Sequence, residues 1–216
     1  ANTNTYADLN YLKQKYEEVL TYENVLGINI ATRCDAISEE CLNYLEELNK
    51  KTDLTIELGL QTIHEKTNKL LNLGYTLQEF ETTLKKLQDK NIKVVVHIIN
   101  GLPFETKQMM LETVKYLNNK NIDGIKIHML HILKETKLEQ LYNKEQFHVL
   151  TKEEYTEIVC DQLEYLNENI VINRITGDPK EDDLIEPNWL IKKFCVLNEI
   201  DKEMKKRDSY QGKRAK

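Results

Sequence analysis

Four charged or imidazole side chains fall inside stretches that otherwise read as buried strand. Glu57 follows Leu54-Thr-Ile56, His97 follows Val94-Val-Val96, and Lys126 and His128 alternate with Ile125, Ile127 and Met129. Burying such groups costs several kcal/mol each unless a partner or ligand takes up the charge, so they read as the lining of a site. A carboxylate, two imidazoles and an amine can accept and donate protons or hold the polar ends of a small molecule. Gln61 lies just beyond the Glu57 strand, Asn100 and Gly101 just beyond the His97 strand, and Arg33 and Asp35 just beyond an earlier one. His128 and His131 form an HxxH pair, but on a strand end that spacing does not put both rings on one face, so zinc is not expected.

The elements that must position these residues alternate along the chain. The stretch Lys93–Thr106 reads as a strand, Val94–Ile99, closed by Gly101 and Pro103, with Thr106 placed to cap the next helix. Such a strand, ending in a glycine turn before a helix, lets a ligand approach bare backbone. Further strands are predicted at Val25–Ala31, Leu54–Leu58, Ile125–Leu130 and Ile170–Arg174. Helical spacing predicts helices over Asp8–Leu20 and after Ser38, with capping boxes at Thr76/Glu79 and Thr151/Glu154. A loop over Thr176–Pro187 leads to a last helix through Leu190, Phe194, Leu197 and Met204, and the basic segment Lys205–Lys216 reads as a mobile tail.

Unbroken alternation of strand and helix argues for a parallel sheet with helical crossovers. Parity then chooses between an open sheet and a barrel. One parity carries Asn29, Ala31 and Arg33, then Thr55, Glu57, Gly59 and Gln61, then Val95, His97 and Ile99, then Lys126 and His128, with Asn173 or Arg174 last. The opposite parity is mostly Ile, Leu and Val. Central strands of an open sheet are apolar on both faces, whereas a barrel tolerates a polar lumen near the strand C-termini. The expected fold is therefore α/β, a partial (β/α) barrel with outer helices, over residues 1–175. Residues 176–216, a loop, a helix and the tail, are expected to pack on it. About five strands are visible where eight would close a barrel, so the first one or two are expected to be missing. The Val25–Ala31 strand then falls at an open edge, where a homodimer of the fragment could form.

With a net charge of −6, bulk electrostatics give no nucleic-acid footprint. No apolar run is long enough to span a bilayer and no secretory signal is visible, so a cytoplasmic location is expected. Cys34, Cys41, Cys160 and Cys195 have neither CxxC nor finger spacing and read as packing thiols.

Several short stretches together are similar to a known family: Ala31-Thr-Arg-Cys-Asp35, Glu57-Leu-Gly-Leu-Gln61, His97-Ile-Ile-Asn-Gly-Leu-Pro103, Lys126-Ile-His-Met-Leu130 with Lys134, Thr176-Gly-Asp178, and Tyr210-Gln-Gly-Lys-Arg214. In this order the chain resembles the radical S-adenosylmethionine (radical SAM) superfamily, and within it the YhcC-type proteins related to the catalytic subunit of elongator. The resemblance implies a [4Fe-4S] cluster and S-adenosylmethionine, cleaved to a 5′-deoxyadenosyl radical, and an electron donor such as flavodoxin or ferredoxin. It implies that Glu57, Gln61, Asn100, Gly101, Met129 and Leu130 hold the cofactor; the strand parity adds His97 to that set, Lys126 and His128 as the expected catalytic residues, and Arg33 and Arg174 as expected substrate contacts. The substrate is unknown; RNA is suggested by the elongator relative. The departures are a cluster-binding cysteine segment that this chain lacks, Cys34 in place of an expected proline, and Leu73 and Tyr75 in place of an expected Arg and His. A cluster-free (β/α) enzyme and a small-anion binding module are the alternatives.

Overall fold

A computed structural model describes residues 4–145, 147–177 and 179–215, without the side chains of residues 191–193. In chain order its elements are α1 (Leu9–Val19), β1 (Gly27–Arg33), α2 (Glu39–Asn49), β2 (Asp53–Gln61), α3 (Glu65–Leu70), α4 (Leu77–Asp89), β3 (Lys93–Asn100), α5 (Lys107–Leu117), β4 (Gly124–Met129), β5 (Ile132–Leu133), α6 (Lys137–Glu145), α7 (Lys152–Tyr165), β6 (Val171–Arg174), β7 (Leu184–Glu186) and α8 (Lys193–Lys206). Five strands form a parallel sheet in the order β1-β2-β3-β4-β6, which places β1 at an edge as expected. The strand pair β5–β7 is antiparallel and separate; two- and three-residue strands carry too little pattern to be read from sequence.

The chain packs as two compact units. One comprises residues 1–60, 75–97 and 122–124; the other comprises residues 61–74, 98–121 and 125–216. The boundary expected at residue 175 coincides with neither.

In the first unit, β1 and β2 run in register from Gly27 opposite Asp53 to Arg33 opposite Gly59. Their apolar parity, Ile30 with Leu54, Ile56 and Leu58, is buried together with Leu45 and Leu48 of α2 and Phe80, Leu84 and Leu87 of α4. The predicted caps form. Ser38 accepts from the Cys41 N–H, and Thr76 and Glu79 close a full capping box. Asn4 donates its N–H to the Ala31 carbonyl at 3.2 Å, and Thr5 Oγ1 bonds Thr32 Oγ1 at 2.5 Å, so this segment lies beside the end of β1.

In the second unit, α5 and α7 pack together, as do α7 and α8. The apolar stripe of α7, Tyr155, Ile158, Val159 and Leu163, is buried with Met110, Val114 and Leu117 of α5 and with Val196 and Ile200 of α8. The tail is not mobile as expected; it is docked. Gly212 and Arg214 donate backbone N–H groups to the carbonyls of Leu163 and Glu164, and Gln211 Nε2 caps the carbonyls of Asn167 and Ile170. The cause is a buried carboxylate: Glu164 is 2% exposed, and Arg214 Nε sits 3.0 Å from it. Of the stretches quoted from the sequence, Asp178 and Lys216 lie outside the described residues.

Candidate functional site

The polar parity of the first unit does what the strand pattern predicts. Glu57 faces the same side of the sheet as Asn29 and His97, with small Ala31 directly opposite it on β1. One carboxylate oxygen of Glu57 lies 3.1 Å from His97 Nε2, and the other accepts from Asn29 Nδ2 at 3.4 Å. Side-chain exposures are 11% for Glu57 and 20% for His97. A largely buried carboxylate thus has partners for both oxygens, which offsets its desolvation. The imidazole is fixed by the carboxylate, so the pair can hold a proton between them or present an oriented acceptor to a polar ligand.

Arg33 is used locally. Its guanidinium grips Asp35 in a fork, Nε to Oδ1 at 2.8 Å and Nη2 to Oδ2 at 2.7 Å, and lies 5.2 Å from the centre of the Tyr75 ring. The hydrogen bond from Arg33 holds the Asp35 carboxyl below the usual carboxylate range. Tyr75 is itself buried, with its hydroxyl 3.4 Å from the Leu60 carbonyl. The expected substrate contact by Arg33 therefore competes with an ion pair already made, and Tyr75 stands as the platform that orients it.

In the second unit the strand ends separate the expected residues by parity. Gln61 ends β2 in a left-handed conformation, φ 65°, half-buried. Lys126, His128 and Leu130 alternate as half-buried positions, while Ile125, Ile127 and Met129 are buried. Met129 is thus on the packing side, and a cofactor contact through its side chain is not what the fold provides. The Asn100 side chain also lies on the packing side. It is 1% exposed, and its amide exchanges two hydrogen bonds with Gln162 of α7, Nδ2 to Oε1 at 2.7 Å and Nε2 to Oδ1 at 2.9 Å. Its carbonyl accepts from the Leu130 N–H at 2.9 Å, locking the end of β3 to the end of β4. The turn itself is made by Gly101, buried and at φ +80°, where a Cβ would lie 3.1 Å from Leu150 Cδ1. Arg174 is exposed on β6.

Two positioning residues were not among the expected ones. Gln162 is a polar residue inside the apolar stripe of α7, which predicts a buried polar partner. Glu105 carries no such signal. Its carboxylate accepts from Thr62 Oγ1 at 2.6 Å, tying the segment after Gln61 to the loop after Gly101, while His64 Nε2 sits 2.9 Å from the Met109 carbonyl. Burial raises the Glu105 carboxyl above its ordinary value of 4.5. A raised folded-state value stabilises the protonated form: that contribution is whole below the unfolded value and is lost as pH rises through the folded one. Glu105→Gln should therefore gain stability relative to the parent as pH climbs from 4 towards 7, read by urea denaturation at each pH; a constant difference would contradict this.

Among the described residues no group of three or more His, Cys, Asp or Glu side chains could hold a metal. Cys34, Cys41 and Cys160 are buried and Cys195 is exposed. Burial pushes the Cys34 thiol up to about 12, the opposite of what thiolate ligation needs. These residues do not fit an iron–sulfur cluster. Anaerobic reconstitution of this chain with iron and sulfide is expected to leave well under one cluster per chain after desalting. A stoichiometric [4Fe-4S] cluster would contradict that.

Comparison with known proteins adds what geometry alone does not. Residues 2–117 match the model of the Radical SAM superfamily, and residues 122–206 match the Radical_SAM C-terminal domain. The chain is 44% identical over 213 residues to the uncharacterized protein YtqA of Bacillus subtilis, covering 99% of this chain and 66% of that protein. It is 36% identical to the uncharacterized protein MJ0486 of Methanocaldococcus jannaschii, covering 98% of this chain and again 66% of the relative. The chain thus spans just under two thirds of the length of these relatives. Among solved structures, Methanocaldococcus infernus Elp3 with an N-terminal deletion superposes with a TM-score of 0.77 at 22% identity, over 93% of this chain and 46% of that one, which shows the shared fold.

Proposed function

We propose, because the chain belongs to the Radical SAM superfamily, that it forms part of an enzyme using a [4Fe-4S] cluster and S-adenosylmethionine to generate a 5′-deoxyadenosyl radical. The observation that carries the reading is the Glu57–His97 pair, a costly polar couple placed on strands whose other parity is hydrocarbon. It supports a ligand with hydroxyl or ammonium groups to be held there. In this reading Glu57 accepts from a polar end of S-adenosylmethionine, and His97 keeps the Glu57 carboxylate aimed. Lys126 and His128 face the substrate.

A cluster-free acid–base enzyme is the second reading, favoured by the same imidazole–carboxylate pair, which is competent in proton transfer without any cofactor. RNA as substrate gains little from Arg207 and Arg214, whose charges are paired within the fold, Arg207 2.6 Å from Asp161 and Arg214 3.0 Å from Glu164. Calorimetric titration with S-adenosylmethionine separates the two enzyme readings. Saturable binding to the anaerobically reconstituted protein at its full natural length supports the first, and none supports the second.

A further inference from the structure

The second unit holds a groove that the proposed chemistry does not use. It has a volume of about 760 Å³ and is lined by Tyr142, Phe147, Leu150, Glu186 and Trp189, with the Lys152–Glu153 pair at its rim. That volume is within the range of about 300–1,000 Å³ typical of small-molecule sites.

Its walls are fixed in advance. Phe147 is buried, with Tyr142 packed edge-to-face at 5.4 Å and Phe104 at 6.1 Å between ring centres. The Trp189 indole N–H donates to the Leu150 carbonyl at 2.9 Å, and its ring lies 5.6 Å from that of Tyr155. Little ordering is left for a ligand to impose.

The charges are uneven. Lys152 stands 3.5 Å from Glu153, and His148, also on the lining, is 2.8 Å from Glu154. Glu186, in contrast, accepts only from the backbone N–H and the Nδ2 of Asn188, at 3.1 and 3.2 Å, both neutral donors, among the described residues. A carboxylate with no cationic partner among the described residues, lining the same groove as the rings of Tyr142, Phe147 and Trp189, favours positive charge twice over, through Coulomb attraction and through the negative ring faces. The same carboxylate repels phosphate.

We propose that this groove binds an organic cation, an alkylammonium group lying against the rings with Glu186 as its counter-ion. Leu150 lines the groove and also packs on Gly101, so the groove wall is shared with the turn after β3. That the cation is part of the substrate rests on the radical SAM reading; the binding itself does not.

Trp189 is the only tryptophan of the chain, so its emission reports on the groove alone. Titration of this chain with choline is expected to give a saturable change, with half-saturation at about 1 mM or below. The neutral isostere 3,3-dimethyl-1-butanol should bind at least tenfold more weakly. Glu186→Gln should weaken choline about tenfold and leave the isostere unchanged. Should that variant not fold, as read by its far-UV circular dichroism, the parent still decides: raising sodium chloride from 50 to 500 mM should weaken choline and spare the isostere. Equal affinity for choline and the isostere, no saturable change, or saturation by adenosine where choline has no effect would each overturn the proposal. None of these outcomes depends on a cluster, so failure here leaves the radical SAM reading standing.

Discussion

Glu57→Gln is expected to weaken binding of S-adenosylmethionine to the cluster-loaded protein by about ten- to a hundredfold. The substitution keeps the shape of the side chain and removes its charge. A hydrogen bond accepted by a carboxylate contributes about 1.5–3 kcal/mol, and each 1.4 kcal/mol is tenfold in affinity. The variant also releases His97, which now has a carboxylate 3.1 Å from Nε2. Lys126→Ala should leave the affinity within about twofold while abolishing turnover of the true substrate, because its assigned role begins after the cofactor is bound. Calorimetry reads the first quantity and product formation the second. Unchanged affinity in Glu57→Gln, or lost affinity in Lys126→Ala, would remove the role assignment and leave the fold intact.

Asn100→Ala should be the most damaging of the strand-end substitutions for stability. The Asn100–Gln162 amide pair is wholly buried, and Gln162 Nε2 also donates to the Met110 carbonyl at 3.1 Å. Truncating Asn100 leaves the Gln162 Oε1 without its donor in a dry site and opens a small cavity, an expected loss of about 2–4 kcal/mol. Replacing both residues by Leu should cost less than the sum of the two alanine variants, because no buried polar atom is then stranded. Urea denaturation measures all four proteins. A loss below about 1 kcal/mol in Asn100→Ala would contradict the assignment of that amide to the packing.

These two residues show how far the sequence could be read. Glu57 and His97 were legible because a strand has period two, and a charge on one parity among Leu, Ile and Val on the other has few explanations. The same rule, applied more strictly, places Asn100 and Met129 on the packing side: each is an odd number of positions from the polar residues of its own strand. The family resemblance, not parity, is what puts them among the expected cofactor residues. The tail read as mobile because its charges looked solvated. What docks it is Glu164, a carboxylate buried on a helix, and the partner of a buried charge is a long-range contact that local pattern does not carry. Glu105 and the aromatic groove are of the same kind, assembled from loops distant in sequence.

The most direct measurement is the fate of S-adenosylmethionine itself. The protein at its full natural length, reconstituted anaerobically with iron and sulfide, is incubated with S-adenosylmethionine and dithionite, and the products are separated and weighed by mass spectrometry. The account predicts 5′-deoxyadenosine and methionine in equal amounts, strongly reduced in Glu57→Gln. A protein that carries its cluster and binds S-adenosylmethionine, yet yields no 5′-deoxyadenosine above the cluster-free control, would contradict it.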